Sequence, residues 1–216
     1  METDYFPRLS AVGSDVAEQN MCVNRQIEVT LLLVSPLMVL FMVAMPLLLP
    51  LLYSGKFMAV TGMMQFVVLG MFVRAVSLPI AYLPLSKGDS VLYLVVEAVY
   101  DVMVVGLTVM AYNWWGLTGT GAALALSLLI DCVMLYAVMN IRYGYAMSRD
   151  VVRYMGVLLP FALMSFLITM TDSSVVYWVM GCLLVLSSSA VSIYILHNKT
   201  SLWEKLVQKI GQKLHL

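Results

Sequence analysis

The stretch that decides the fold is Val29–Gly55, which reads VTLLLVSPLMVLFMVAMPLLLPLLYSG. None of its residues is charged, and about 20 consecutive apolar residues are enough to cross the hydrocarbon core of a bilayer as an α-helix. The stretch also lacks the alternation of apolar and polar residues that marks a transmembrane β-strand. It therefore predicts a membrane-spanning helix.

Five more stretches of this kind follow along the chain. Their predicted bounds are Phe57–Ser86, Ser90–Tyr112, Leu117–Ile141, Tyr154–Thr171 and Ser173–Leu196. Short polar segments with turn residues separate them, among them Asn113–Gly116, whose two tryptophans favour a membrane interface. We therefore expect an all-α, polytopic membrane protein with six transmembrane helices.

The composition supports this fold class and excludes others. Of the 216 residues, 62% are hydrophobic and only 11% are charged, whereas soluble domains have about 45–50% apolar and about 25% charged residues. A soluble enzyme is excluded because so few charges could not cover its surface, and disorder is excluded because it needs low hydrophobicity. The net charge is zero, so nothing suggests a nucleic-acid partner.

The positive charges predict the orientation of the chain in the membrane. If the N-terminus is cytoplasmic, the loops outside hold only Lys56, and Arg74 lies within a span. Loops on the cytoplasmic side are enriched in Lys and Arg, so we expect both termini to be cytoplasmic. The other ten cationic residues then lie inside: Arg8, Arg25, Lys87, Arg142, Arg149, Arg153, Lys199, Lys205, Lys209 and Lys213.

These patterns divide the chain into five parts. Residues 1–27 form a cytoplasmic arm that lacks the features of a signal peptide. Residues 28–141 hold four spans, 142–153 a cytoplasmic loop, 154–197 two spans and 198–216 a tail. The tail is predicted to be an amphipathic helix that lies on the membrane surface, although it could instead dock on the protein. Its apolar face comprises Leu202, Trp203, Leu206, Val207, Ile210 and Leu214, bordered by Lys205, Lys209 and Lys213.

Four ionisable residues fall within the predicted spans: Arg74, Glu97, Asp101 and Asp131. Such residues cost free energy at bilayer depth and are functional candidates by default. At about 1.5 Å per residue, all but the shallower Glu97 lie about 16–20 Å from the cytoplasmic ends of their helices. We therefore expect Arg74 to pair with Asp101 or Asp131.

One arginine facing three carboxylates would leave an excess of negative charge in a medium of low dielectric constant. A protonated carboxylate, a coupling H⁺ or Na⁺, or a charge from a partner chain would remove the excess. These four residues are thus candidates for substrate or ion binding. The alternative is an ion-pair lock that only orients the helices.

No catalytic or metal-binding pattern is present. The sequence has no HExxH, GxSxG or Walker motif, and Cys22, Cys132 and Cys182 lie too far apart to suggest a metal site. We therefore expect neither an enzyme nor a cofactor.

A further set of patterns resembles a known family. The segments are Tyr5–Ser10, with the sequence YFPRLS, then Val23–Gln26 (VNRQ), Leu51–Phe57 (LLYSGKF) and Trp115–Ala123 (WGLTGTGAA). In this order they resemble the polysaccharide-transport branch of the multidrug/oligosaccharidyl-lipid/polysaccharide exporter superfamily. That branch comprises the flippases of O-antigen and capsular repeat units.

The resemblance implies a MATE-like fold in which two six-helix lobes surround a cavity, and this chain is similar to the C-terminal half only. Residues 1–27 then include the end of a helix whose beginning is missing. The implied activity is movement of an undecaprenyl-pyrophosphate-linked oligosaccharide across the bacterial inner membrane by alternating access. The implied partners are that lipid-linked oligosaccharide, membrane lipid and an N-terminal lobe or partner chain. The alternative is a membrane scaffold or assembly subunit, or a non-functional truncated fragment.

Overall fold

The computed structural model describes residues 2–13, 15–52, 59–171 and 173–199. These residues form seven helices and no strand. The helices are α1 (Glu2–Ala11), α2 (Val16–Leu52), α3 (Thr61–Ala81), α4 (Leu83–Ser86), α5 (Ser90–Tyr143), α6 (Arg149–Ile168) and α7 (Ser174–Asn198). The predicted all-α class is confirmed.

Five of the helices, α2, α3, α5, α6 and α7, are long and apolar enough to cross a membrane; for α3 the apolar stretch continues through α4. The mean hydropathy of their most apolar windows lies between 1.9 and 2.5. Large apolar side chains are exposed along α2, α5, α6 and α7, as expected of helices whose surroundings are lipid rather than water. The chain is therefore built as a multi-pass helical membrane protein.

Helix α5 is a helical hairpin rather than a straight rod. At about 1.5 Å per residue its 54 residues would extend over about 80 Å, but the chain reverses at Gly116, whose φ of 60° and ψ of −142° are not helical. The two ends meet, because the Tyr143 hydroxyl donates a 3.0 Å hydrogen bond to the Asp89 carboxylate just before the helix begins. Residues 90–115 and 117–143 are thus antiparallel, and we call them the first and second arms.

The turn between the arms is tighter than the sequence predicted. We expected a break over Asn113–Gly116, but residues 113–115 stay helical and the reversal takes place at Gly116. Gly119 lies so close to the backbone of Ala111 that a Cβ would collide with it. Glycine at both positions therefore allows two long helices to join with almost no loop.

The second arm packs closely on α3 through small residues. A Cβ on Gly121 would overlap the backbone of Met63, and the Cα of Ala125 lies 3.0 Å from where a Cβ on Gly70 would be. The spacing of Gly121 and Ala125, four residues apart, is typical of membrane helices in close contact. This contact fixes the position of the second arm against α3.

Several predicted boundaries differ from the structure. The arm 1–27 is not separate from the first span, because α2 runs without interruption from Val16 to Leu52. In the second predicted span the main helix, α3, ends at Ala81, and the short helix α4 follows it. The loop 142–153 is mostly helical, since only residues 144–148 lie outside helices. The predicted tail helix falls outside the described residues from residue 200 onward.

Long-range contacts bring most of the described positive charges to one end of the bundle. There the Lys87 ammonium contacts the Gly13 carbonyl, Arg142 lies 3.6 Å from Asp89, and Lys199 reaches α2 and α6. This is the arrangement that the predicted orientation requires, with basic loops together on one side.

Candidate functional site

The central contact of the site is an ion pair between α3 and the second arm of α5. Arg74 Nη1 donates to Asp131 Oδ2 at 3.0 Å. The Asp131 side chain is 3% exposed and that of Arg74 is 25% exposed. The expected pairing of Arg74 with one of the two aspartates is thereby confirmed, and Asp131 is the partner.

Asp131 lies near the middle of the second arm of α5. It is fifteen residues from the turn at Gly116 and twelve from Tyr143 at the open end of the hairpin. At 1.5 Å per residue these separations are about 22 Å and about 18 Å. The pair is therefore far from both ends of the hairpin.

Tyr100 completes this cluster from the first arm. The centre of its ring lies 5.8 Å from Cζ of Arg74, a distance at which an aromatic ring attracts a cation. The Tyr100 side chain also lies near Ser127 on the second arm. Ser127 in turn donates to the Leu124 carbonyl at 2.9 Å. The cluster thus joins α3 and both arms of α5.

The sequence did not identify Tyr100 as a site residue. A signal was present, since Tyr100 lies three residues after Glu97 and residues at this spacing share a helix face. A tyrosine in an apolar span is, however, more commonly a packing or interface residue. Only the position of Arg74, which approaches from α3, distinguishes Tyr100 from such a packing residue.

The other two predicted site residues have different environments. Glu97 is half-buried and near enough to Asp131 for their charges to interact. Asp101 is exposed on the outer side of the first arm, fifteen residues from Gly116 and hence at the level of Asp131. Within the described residues Asp101 has neither an ion pair nor a hydrogen bond. The structure therefore brings together Arg74, Asp131 and Glu97 and directs Asp101 away from them.

A second polar network lies at the basic end of the bundle. The Asn24 amide donates to the backbone carbonyls of Asn20 and Ala146 at 2.8 and 2.9 Å. Its oxygen accepts from the Tyr145 hydroxyl at 3.1 Å and the Ser148 amide at 3.0 Å. Burial raises the pKa of Tyr145, so its hydroxyl remains a neutral donor. The network ties α2 to the segment before α6.

Lys199 joins three helices at the same end. Its ammonium lies 2.6 Å from Glu28 of α2 and 2.9 Å from Asp150 of α6, and it stands 5.2 Å from the centre of the Tyr154 ring. Partial burial lowers the pKa of Lys199, but the hydrogen bonds to the two carboxylates outweigh this effect and hold the pKa above its ordinary value. These contacts stabilise the bundle and bring no reactive group together.

Among the described residues, no group of three or more His, Cys, Asp or Glu side chains could hold a metal ion. The chemistry available in the cluster is therefore that of a charged pair, an aromatic ring and one further carboxylate, that of Glu97. Such a set can hold a cation or a proton, or lock helices together, and it offers no activated nucleophile.

Helix lengths, apolar surfaces and intramembrane charges define the class: this is a multi-pass α-helical membrane protein. Compared with protein families, with curated proteins and with solved structures, the chain matches none of them.

Proposed function

We propose that this chain is the C-terminal part of a flippase that moves undecaprenyl-pyrophosphate-linked oligosaccharide repeat units across the bacterial inner membrane by alternating access. In this proposal the two arms of α5 each cross the membrane, so that the chain has six passes and both termini are cytoplasmic. The fold is then one lobe of a MATE-like transporter, and the sequence motifs described above support this assignment.

The observation that carries the proposal is the position of Asp101. An ionised carboxylate at mid-bilayer depth that faced lipid would cost several kcal/mol, and the first arm leaves this side chain uncovered. A water-filled cavity or a second lobe on that side removes the cost. A two-lobe transporter with a central cavity supplies both, with Asp101 facing the cavity and H⁺ or Na⁺ as coupling ion.

The test is a deletion of the gene in its host with analysis of lipid-linked glycans. Loss of the flippase should accumulate lipid-linked repeat units on the cytoplasmic leaflet and reduce surface polysaccharide. Complementation with Asp101→Glu, which keeps the charge, should restore export, whereas Asp101→Leu should restore it poorly at equal protein level. Unchanged surface polysaccharide in a clean deletion would contradict the proposal.

A second candidate is a membrane scaffold in which the charges only lock the helices. The observation that favours it is the 3.0 Å geometry and near-complete burial of the Arg74–Asp131 contact, which is what a structural lock requires. Under this alternative, replacing both members by alanine should leave a folded protein that still supports its process. In a flippase that uses the pair for ion coupling, the double variant should fold and fail to transport.

A further inference from the structure

A groove between α1 and α2 lies outside the mid-membrane cluster. It has a volume of about 340 Å³, within the range of about 300–1,000 Å³ that is common for sites of small ligands. Two arginines line it, Arg8 of α1 and Arg25 of α2, together with Cys22 and Glu18. The rest of the lining is mainly apolar, so the groove combines two guanidinium groups with a hydrophobic wall.

The groove lies at the depth of lipid phosphates. Val29, which lines its inner end, begins the uncharged stretch that crosses the membrane. Arg25 precedes Val29 by four residues, or about 6 Å along α2. With Val29 at the edge of the hydrocarbon core, Arg25 falls within the headgroup layer, which is about 5–8 Å thick on each side.

The charges of the groove favour an anion. The lining carries two arginines against one glutamate, Glu18, and this composition attracts an anion such as a phosphodiester. Arginine binds phosphate through two parallel N–H donors, and basic pockets between membrane helices are known to hold lipid headgroups. The apolar wall suits the glycerol backbone and the start of an acyl chain rather than a hydrated free ion.

We propose that the α1–α2 groove binds the phosphate of an anionic phospholipid from the surrounding bilayer. Arg8 and Arg25 hold the phosphate, and the apolar lining covers the lipid beneath it. The site differs from the Arg74–Asp131 cluster in place and chemistry, and the inference does not depend on the transport proposal.

Cys22 provides the measurement, because it lines the groove and is half-buried. The full chain is reconstituted in nanodiscs of phosphatidylcholine, with or without 30% phosphatidylglycerol, and alkylation of Cys22 by a maleimide is followed by peptide mass spectrometry. We expect phosphatidylglycerol to slow the reaction at least fivefold. In Arg8→Gln/Arg25→Gln the two lipid mixtures should give the same rate.

The matched control is Arg149→Gln/Arg153→Gln, which removes two exposed arginines from the same end of the bundle without touching the groove. It should keep the full protection. If the control variant also loses the protection, the proposal is overturned, because the surface potential alone would then explain the protection. Equal protection by 10 mM inorganic phosphate in detergent would overturn the assignment to a lipid, and no protection by phosphatidylglycerol would overturn the site.

If the glutamine double variant does not fold, Arg8→Lys and Arg25→Lys are measured singly. They keep the charge but lose the paired donors, so each should weaken the protection at least twofold. Full protection in both lysine variants would contradict recognition by the arginines.

Discussion

At the scale of single residues, the Arg74–Asp131 contact decides how the protein tolerates change in its interior. Arg74→Ala leaves Asp131, which is almost fully buried, without its counter-charge. Breaking a buried pair from one side costs about 3–5 kcal/mol, whereas removing both members costs far less. We therefore expect Arg74→Ala to reduce the folded fraction strongly and Arg74→Ala/Asp131→Ala to recover much of it.

This is measured by thermal unfolding in detergent, followed by fluorescence-detected size exclusion. Arg149→Ala, an exposed arginine, is the control and should unfold like the wild type. A double variant that is less stable than Arg74→Ala would mean that the two residues do not act as a pair.

A second prediction at this scale concerns the pH dependence of the stability that Asp89 provides. Asp89 joins the two arms at the open end of the α5 hairpin. Hydrogen bonds from the Leu92 amide and the Tyr143 hydroxyl, together with the nearby Arg142 guanidinium, hold the pKa of Asp89 below its ordinary value. A lowered pKa means that the carboxylate stabilises the fold above the pKa of the unfolded chain, about 3.9. This contribution is lost as the pH falls through the lower pKa of the folded state.

Asp89→Asn should therefore unfold at a lower temperature than the wild type at pH 7, and the difference should shrink as the pH falls below about 4. Unfolding temperatures of both proteins measured from pH 7 to pH 3 test this. A difference that is the same at all these values would show that the charge of Asp89 does not matter.

At the scale of elements, the reversal of α5 depends on Gly116. Its positive φ lies in a region that only glycine adopts without strain, which costs other residues about 1–3 kcal/mol. Gly116→Ala should lower the unfolding temperature and loosen the hairpin. Gly106→Ala is the control, because Gly106 is helical on the first arm with no neighbour near its Cβ position, and it should be neutral or stabilising.

Hairpin closure can be measured by the distance between spin labels at Val91 and Ile141, both exposed at the open end. We expect a short, narrow distance distribution in the wild type and Gly106→Ala, and a broader one in Gly116→Ala. Identical distributions in all three would mean that side-chain packing alone holds the arms together.

The elements also illustrate what the sequence can and cannot predict. Long uncharged stretches predicted the apolar helices because crossing a bilayer requires length and hydrophobicity, both of which are local properties. The spacing of Gly121 and Ala125 is likewise a local pattern, one that is typical of a close helix contact. The single-residue turn at Gly116 was not predicted in this form, since polar residues such as Asn113 also suit an open turn.

The residues of the site also divide into those that the sequence can predict and those that it cannot. The four charges within the apolar stretches could be found from the sequence, and their depths left Asp101 and Asp131 as the possible partners of Arg74. The contact of Lys199 with Glu28 could not be found from the sequence, because the two residues are 171 positions apart and no local pattern relates them. For the same reason no sequence pattern indicates that Asn24 holds the segment before α6.

At the scale of the whole molecule, the proposed six passes predict where each turn lies. Reporter enzymes fused after Ser148 and after Leu216 should show cytoplasmic activity, and fusions after Ser54 and after Gly116 should show periplasmic activity. The fusion after Gly116 is the decisive one, because it reports whether each arm of α5 crosses the membrane. Cytoplasmic activity there would contradict the six-pass topology, and the reverse pattern throughout would contradict the predicted orientation.

The separation of Arg74 and Asp131 along the chain has a consequence for biosynthesis. The two residues are 57 positions apart, so at about 5–20 residues per second the ribosome completes Arg74 about 3–11 s before Asp131. Throughout that interval the nascent chain carries an arginine whose counter-charge has not been made. If α3 enters the bilayer before the second arm of α5 has been made, it carries an unpaired arginine, which costs free energy until Asp131 arrives.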